Sequence, residues 1–286
     1  MLKFYGKWVP YLFLLPALLL LTLFFFVPFV QTLGLSFSDY STNLYSPTFV
    51  GLKNYFTVFS DPIFRKVLLN TFLFLLIVVP FLTIFPLFLA ILINQKLRGI
   101  TLYKILIYLP VVVSIVVCAI AFKWMYAEHG ILNYLLGTSI GWLTDTRFSL
   151  LAVAIVTIWK GIGYYMMIYL ASLMSVPNEL YEACEIDGAN SWQKHLTVTV
   201  PHLMPTIALV STISAISAMK VFAEIYVMTK GGPLNSSKTI VYYIYERAFE
   251  NLDLGVASAM AVVLLIIVFA LSLVNILCFE KEKYRL

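Results

Sequence analysis

Charge is scarce in this sequence of 286 residues. Its 14 Asp and Glu and 19 Lys and Arg make up 12% of the chain, about half the share found in water-soluble domains. Hydrophobic residues reach 62%, with 22 Phe, 18 Tyr and 5 Trp, and the mean hydropathy is +0.94. That balance excludes a water-soluble globular enzyme, and it excludes disorder, coiled coil and collagen as well. Cys118, Cys184 and Cys278 are the three cysteines, and they have no metal-binding or redox spacing. His129, His195 and His202 stand apart from any cysteine or acidic cluster, so no metal site is offered. The basic residues form no stripe, which excludes a nucleic-acid partner. There is no Gly-x-x-x-x-Gly-Lys-Ser/Thr run, and hence no such loop for ATP. Within the apolar runs no paired carboxylates or activated nucleophile occur, so a membrane enzyme is disfavoured too. No connecting segment is long enough to bury a core alone, and no internal repeat is visible.

What the sequence does have is long apolar runs. Six are expected to cross the membrane as helices, over about residues 11–30, 68–93, 105–124, 150–173, 202–223 and 254–279. A span takes roughly 20 residues, and in hydrocarbon the backbone must satisfy its own hydrogen bonds, so helix is the reading for each. The expectation is an all-α integral membrane protein with residues 1–286 forming one transmembrane domain. Lys3 and Lys7 precede the first run as they would in a signal peptide, but the run is too long and lacks a small-residue cleavage site, so it is read as a retained helix. Pro80, Pro86 and Pro110 should kink their helices. Positive charge is denser on the segments that an N-in, C-in arrangement places inside. The clearest is the short connection 94–104, with Lys96, Arg98 and Lys104 and no acid.

The connection between the fourth and fifth runs, residues 174–201, is the most acidic part of the chain, with Glu179, Glu182, Glu185 and Asp187 against Lys194. It reads as two short helices. Pro177 suits a first turn, where its missing N–H costs nothing, and Glu179 sits near the positive dipole end. Gly188 breaks the first helix. Asn190 or Ser191 can cap the second, which places Trp192 and Leu196 on one face. Pro201 is expected to stop the loop and admit the fifth span.

Glu182-Ala183-Cys184, Asp187-Gly188-Ala189 and then Val198, Val200 and Pro201 resemble the EAA motif of importer permeases in the ATP-binding-cassette (ABC) superfamily. Cys184 stands where Ala is usual, and it is also small. Further resemblance to the carbohydrate branch lies in Trp159-Lys160-Gly161, Tyr169-Leu170-Ala171, Met219-Lys220-Val221-Phe222, Glu224-Ile225-Tyr226, Gly231-Gly232-Pro233 and Ala257-Ser258-Ala259-Met260-Ala261. The chain is similar to maltose- and glycerol-phosphate-type sugar permeases, in particular the partner usually named first of two. The resemblance implies a type I ABC importer permease fold with a coupling helix in the loop between spans four and five. It also implies a second permease subunit, two ATPase subunits that carry ATP and Mg, an extracytoplasmic solute-binding protein, and no cofactor or catalysis in this chain. Leu180, Ala183 and Trp192 would give apolar contact to the ATPase, with Glu182 and Asp187 pairing or capping beside Cys184, Gly188, Ala189 and Pro201. An amphipathic helix lying on anionic membrane lipid is disfavoured by the acidic face.

Other candidates carry two readings each. Lys160 either faces a polar solute path or is a structural lysine at a helix contact. Ser211, Ser214 and Ser217 either pack helices closely or line that path. Tyr164, Tyr165 and Asn275 either meet a sugar ring or mark an interface. Gly231, Gly232 and Pro233 form an outer turn that either touches the binding protein or is simply a turn. The competing function, a self-sufficient ion-coupled transporter, commonly needs acids within its spans. All fourteen acids here are read as lying in connections or at helix ends.

Overall fold

A computed structural model of the chain describes residues 9–39, 48–95 and 98–283. Lys3, Lys7, Lys96 and Arg285, and the side chains of Cys278, Lys281 and Lys283, lie outside what it describes. The chain separates into two units, Met1–Asp61 with Ile244–Leu265, and Pro62–Tyr243 with Ile266–Leu286.

The first unit begins with α1 (Val9–Leu21), which passes through a π-helical turn (Thr22–Phe26) into α2 (Val27–Ser36). Pro28 explains the turn. Its ring crowds the carbonyl four residues back, and a widened turn just ahead relieves the clash. Large apolar side chains such as Leu12, Phe13, Phe24 and Phe25 project outward along this rod, as lipid contact requires. Strands β1 (Ser38–Asp39) and β2 (Thr48–Phe49) pair antiparallel, with Ser38 opposite Phe49. In α3 (Lys53–Ser60), buried Asn54 donates to the carbonyls of Ser36 and Ser38, each at 3.0 Å. Asp61 accepts from Arg247 at 3.0 Å.

The second unit is built on α4 (Pro62–Ile93), which continues through Pro80 and Pro86 as one helix. At Pro110 the outcome exceeds the expected kink. The third run is two helices, α5 (Ile100–Val112) and α6 (Ile115–Met125), bent by 95°. Val113 between them is extended, with ψ 139. The proline removes an N–H, and the three valines that follow are stiff and poor helix formers. Then come α7 (Ile131–Leu136), α8 (Ser149–Leu173), α9 (Asn178–Ile186), α10 (Ser191–Lys194), α11 (Val200–His202), α12 (Met204–Met219), α13 (Ala223–Met228), α14 (Ile240–Tyr245) and α15 (Leu254–Lys283). The fifth membrane-length stretch reaches from Met204 to Met228, so Glu224, which the sequence places beyond the run, falls inside it. Among the described residues five helices are long and apolar enough to cross a membrane, or six spans if the bent pair counts as one.

Helix α8 is the centre of this unit. Ala152, Val153, Val156, Met166 and Tyr169 are fully buried on it. It packs along α4, where Phe74, Val78 and Leu82 meet it, and along α5, while α12 lies on both α4 and α8. Close approach depends on Gly163. A Cβ there would stand 2.4 Å from the Ile107 carbonyl oxygen and 2.9 Å from Tyr108 Cα. Small residues at such contacts are what let membrane helices approach without a gap. Gly163→Ala should therefore push α5 off α8 and cost about 1–3 kcal/mol. A clear drop in the heat-denaturation midpoint of the detergent-solubilised protein is expected; an unchanged midpoint would show that the two helices have slack.

Candidate functional site

The acidic loop folds as two helices joined by a shaped corner. Pro177 occupies the position just before α9, extended at ψ 135, one residue ahead of its expected place, with Glu179 in the first turn. At the far end the Gly188 N–H donates to the Glu185 carbonyl at 3.0 Å and the Ala189 N–H to the Cys184 carbonyl at 2.9 Å. These two bonds form a Schellman closure, which needs a left-handed residue between them. Gly188 supplies it at φ +79. Asn190 then caps α10. Its Oδ1 accepts from the Gln193 N–H at 2.9 Å, and its own N–H donates to Gln193 Oε1 at 2.8 Å. The choice between Asn190 and Ser191 is thus settled by a reciprocal capping box.

One side of α9 is spent on this joint. Glu185 pairs with Lys194. The Tyr181 hydroxyl lies 2.8 Å from Thr199 Oγ1, which is also 3.0 Å from His195 Nδ1. Cys184 Sγ lies 3.7 Å from Thr197 Oγ1. Burial, and then the Lys194 charge, holds the His195 pKa below the usual histidine value. The opposite side of α9 is exposed: Leu180, Glu182, Ala183, Ile186 and Asp187. Ile186, 87% exposed, was missed in the sequence. Its spacing of three from Ala183 and six from Leu180 was the available signal. Trp192 and Leu196 share a face as expected. They line an apolar groove of about 630 Å³ with Phe81, Ile84 and Phe88 of α4.

Pro201 does not stop the loop. The helical path runs on from α10 through a π-helical turn (His195–Thr199) into α11, and only Leu203 separates α11 from α12. The widened turn lets the Val200 N–H reach the His195 carbonyl and makes room for a proline with no N–H to give.

The remaining candidates are distributed over different surroundings. Lys160 donates to the carbonyls of Pro110, Val111 and Val113 at 3.1, 3.0 and 2.7 Å. Asn275 donates to Ser211 at 2.9 Å and Thr212 at 2.8 Å, joining α15 to α12, while fully buried Ser214 donates to the Ser211 carbonyl within α12. Lys160 and Asn275 thus sit at helix contacts. Tyr165 is buried, whereas Tyr164 and Ser217 are exposed.

The turn at Gly231, Gly232 and Pro233 is firmly held. Ser237 Oγ donates to the Gly232 carbonyl at 2.7 Å and lies 2.8 Å from Thr229 Oγ1. From α4, Lys66 donates to the Leu234 carbonyl at 2.7 Å, and Asn70 to those of Asn235 and Lys238 at 2.7 and 3.0 Å. Leu234 is left at the tip, 79% exposed.

Residues 55–278 match the family of binding-protein-dependent transport system inner membrane components. A probable ABC transporter permease protein of Bacillus subtilis, YurN, is 38% identical over 97% of this chain and 98% of its own length. The lactose transport system permease protein LacF of Rhizobium radiobacter is 33% identical over 96% of this chain and 94% of its own. In fold, the chain is similar to one in the crystal structure of a bacterial ABC transporter involved in the import of the acidic polysaccharide alginate. The TM-score is 0.84 at 24% identity, over 96% of each chain. The loop geometry, the apolar helices and these likenesses agree: the chain has the type I ABC importer permease fold and belongs to the family of binding-protein-dependent transport system inner membrane components.

Proposed function

We propose that this chain is one of two permease subunits in an ATP-driven importer of a sugar or sugar-like solute. The solute class spans oligosaccharides, polyols, glucosyl-polyols and glycerol phosphates. Residues 1–286 act as one permease domain of six spans in the cytoplasmic membrane, with both termini inside. The partners are a second permease subunit, two ATPase subunits and an extracytoplasmic solute-binding protein. ATP and Mg sit on the ATPases, and this chain performs no catalysis. The sugar class is supported by the carbohydrate-branch motifs and by the likeness to a lactose transport permease.

The observation that carries this reading is the exposed side of α9. A helix that spends one side on its own joint and leaves Leu180, Ala183 and Ile186 uncovered beside Glu182 and Asp187 suits a socket on another protein. Docking there would be passed through the Gly188 corner, with Cys184 and Ala189 closing it, to Trp192 and Pro201 and so to α12. Closure of the ATPase pair would then move the spans as rigid bodies between inward- and outward-facing states. The turn with Leu234 at its tip faces the binding protein in this arrangement. A self-sufficient ion-coupled carrier is not favoured: the family match and the exposed side of α9 leave it without support, and the acid within a span, Glu224, is engaged by Thr157.

Two measurements test this. At φ +79 any side chain costs about 1–2 kcal/mol, roughly a five- to thirtyfold effect. Gly188→Val should therefore cut uptake by the assembled importer while ATP hydrolysis continues uncoupled, or should release the ATPase. Normal uptake with normal assembly would refute the docking role. Single cysteines at Ser191 and Leu234, in a chain lacking Cys118, Cys184 and Cys278, test the orientation. An impermeant thiol reagent on intact cells should label position 234 and spare 191; the reverse pattern, or labelling of both, rejects the topology.

A further inference from the structure

Helix α5 ends inside an apolar stretch, where its last carbonyls have no partners in the helix and hydrocarbon would offer none. Lys160 of α8 meets this end. Its ammonium has three donors, and three carbonyl oxygens at the 95° bend, those of Pro110, Val111 and Val113, lie within 3.1 Å of it. A cation at a helix C-terminus is also favoured by the helix dipole. The same face of α8 carries Thr157, three residues earlier. Its hydroxyl lies 3.3 Å from Glu224 Oε1, and Glu224, 9% exposed, sits in the first turn of α13. Lys160 therefore meets the bend, while Thr157, one turn earlier on the same helix, meets the buried acid. The far end of α13 is tied to α6, because Lys123 donates to the Val227 carbonyl at 3.2 Å.

We propose that Lys160 is a positioning residue and not a reader of the solute. With Glu224 as its counter-charge, it holds the α5–α6 bend as a fixed elbow against α8 and α13. Each charge is kept in an apolar setting by the other, and the carbonyls at the elbow are kept by Lys160. The elbow keeps its shape whatever solute passes, and Lys160 has no donor left over for an anionic one.

A double-mutant cycle in the full chain tests this without knowledge of the solute, so its failure is separate from failure of the importer reading. Lys160→Met, Lys160→Arg, Glu224→Gln and the double variant Lys160→Met/Glu224→Gln are compared in membranes. Two quantities are read: the heat-denaturation midpoint, and the rate at which N-ethylmaleimide modifies Cys118, buried on α6 one turn past the elbow, in a chain lacking Cys184 and Cys278. Lys160→Met strands both the carbonyls and a buried acid, and should speed labelling by about tenfold or more with a lower midpoint. Lys160→Arg should restore most of the loss. The double variant removes the stranded acid and should recover at least about threefold of the labelling rate relative to Lys160→Met. Effects that simply multiply in the double variant would overturn the pairing. No change in either quantity for Lys160→Met would return Lys160 to the solute path. If Lys160→Met yields no protein, recovery of protein in the double variant supports the proposal and its absence refutes it.

Discussion

A carbonyl or amide left alone in hydrocarbon costs several kcal/mol, and that constraint bears on several places where the helices of this chain depart from regularity. The bend between α5 and α6 has the Lys160 ammonium across three carbonyls. The prolines at 28 and 201 each have a π-helical turn ending two residues before them. Outside the spans a turn is held in the same way, since the backbone around Gly232 takes side-chain donors from Lys66 and Asn70. Polar and charged residues are few in this sequence, and many of them stand where the backbone would otherwise be left unpaired.

The loop between α8 and α12 obeys a different economy. Water is within reach there, so capping is not compelled by the medium. Even so, the corner is closed by a Schellman pair, a capping box, an ion pair and the Tyr181–Thr199–His195 contacts. A segment so stiffened has little slack in which a displacement could be absorbed. The lowered His195 pKa fits this picture, because a neutral imidazole next to Lys194 adds no repulsion inside the joint.

The sequence was legible where one residue type has one physical consequence over a short range. Apolar length announced the spans. Pro177, Gly188 and Asn190 marked the two-helix loop because capping and φ > 0 are local matters. It was less legible where distance along the chain intervenes. Nothing in Lys66 or Asn70 says that they hold carbonyls more than 160 residues away. Pro110 signals a disturbance but not its size, since the angle depends on whether something caps the freed carbonyls, and Lys160 is 50 residues on. Glu224 looked peripheral because hydropathy cannot register a buried acid that a hydroxyl 67 residues away engages. Pro201 misled because a proline reads as a stop unless the turn ahead of it is known to widen. Among the solute-path candidates, Ser211 and Asn275 show why small polar residues are ambiguous: a hydroxyl and an amide of the kind that could meet a solute instead join two helices.

The hold of α4 on the distant turn bears on the order in which the protein is made. Lys66 and Asn70 leave the ribosome early, while the Leu234, Asn235 and Lys238 carbonyls they grip follow 165 to 168 residues later. At roughly 5–20 residues per second, the N-terminal end of α4 spends on the order of ten seconds or more without those contacts. During that interval a nascent α4 has its apolar body but not its final anchor. Insertion and final seating of this helix are therefore separate events, and the last of them waits for the turn at Gly232 to be synthesised.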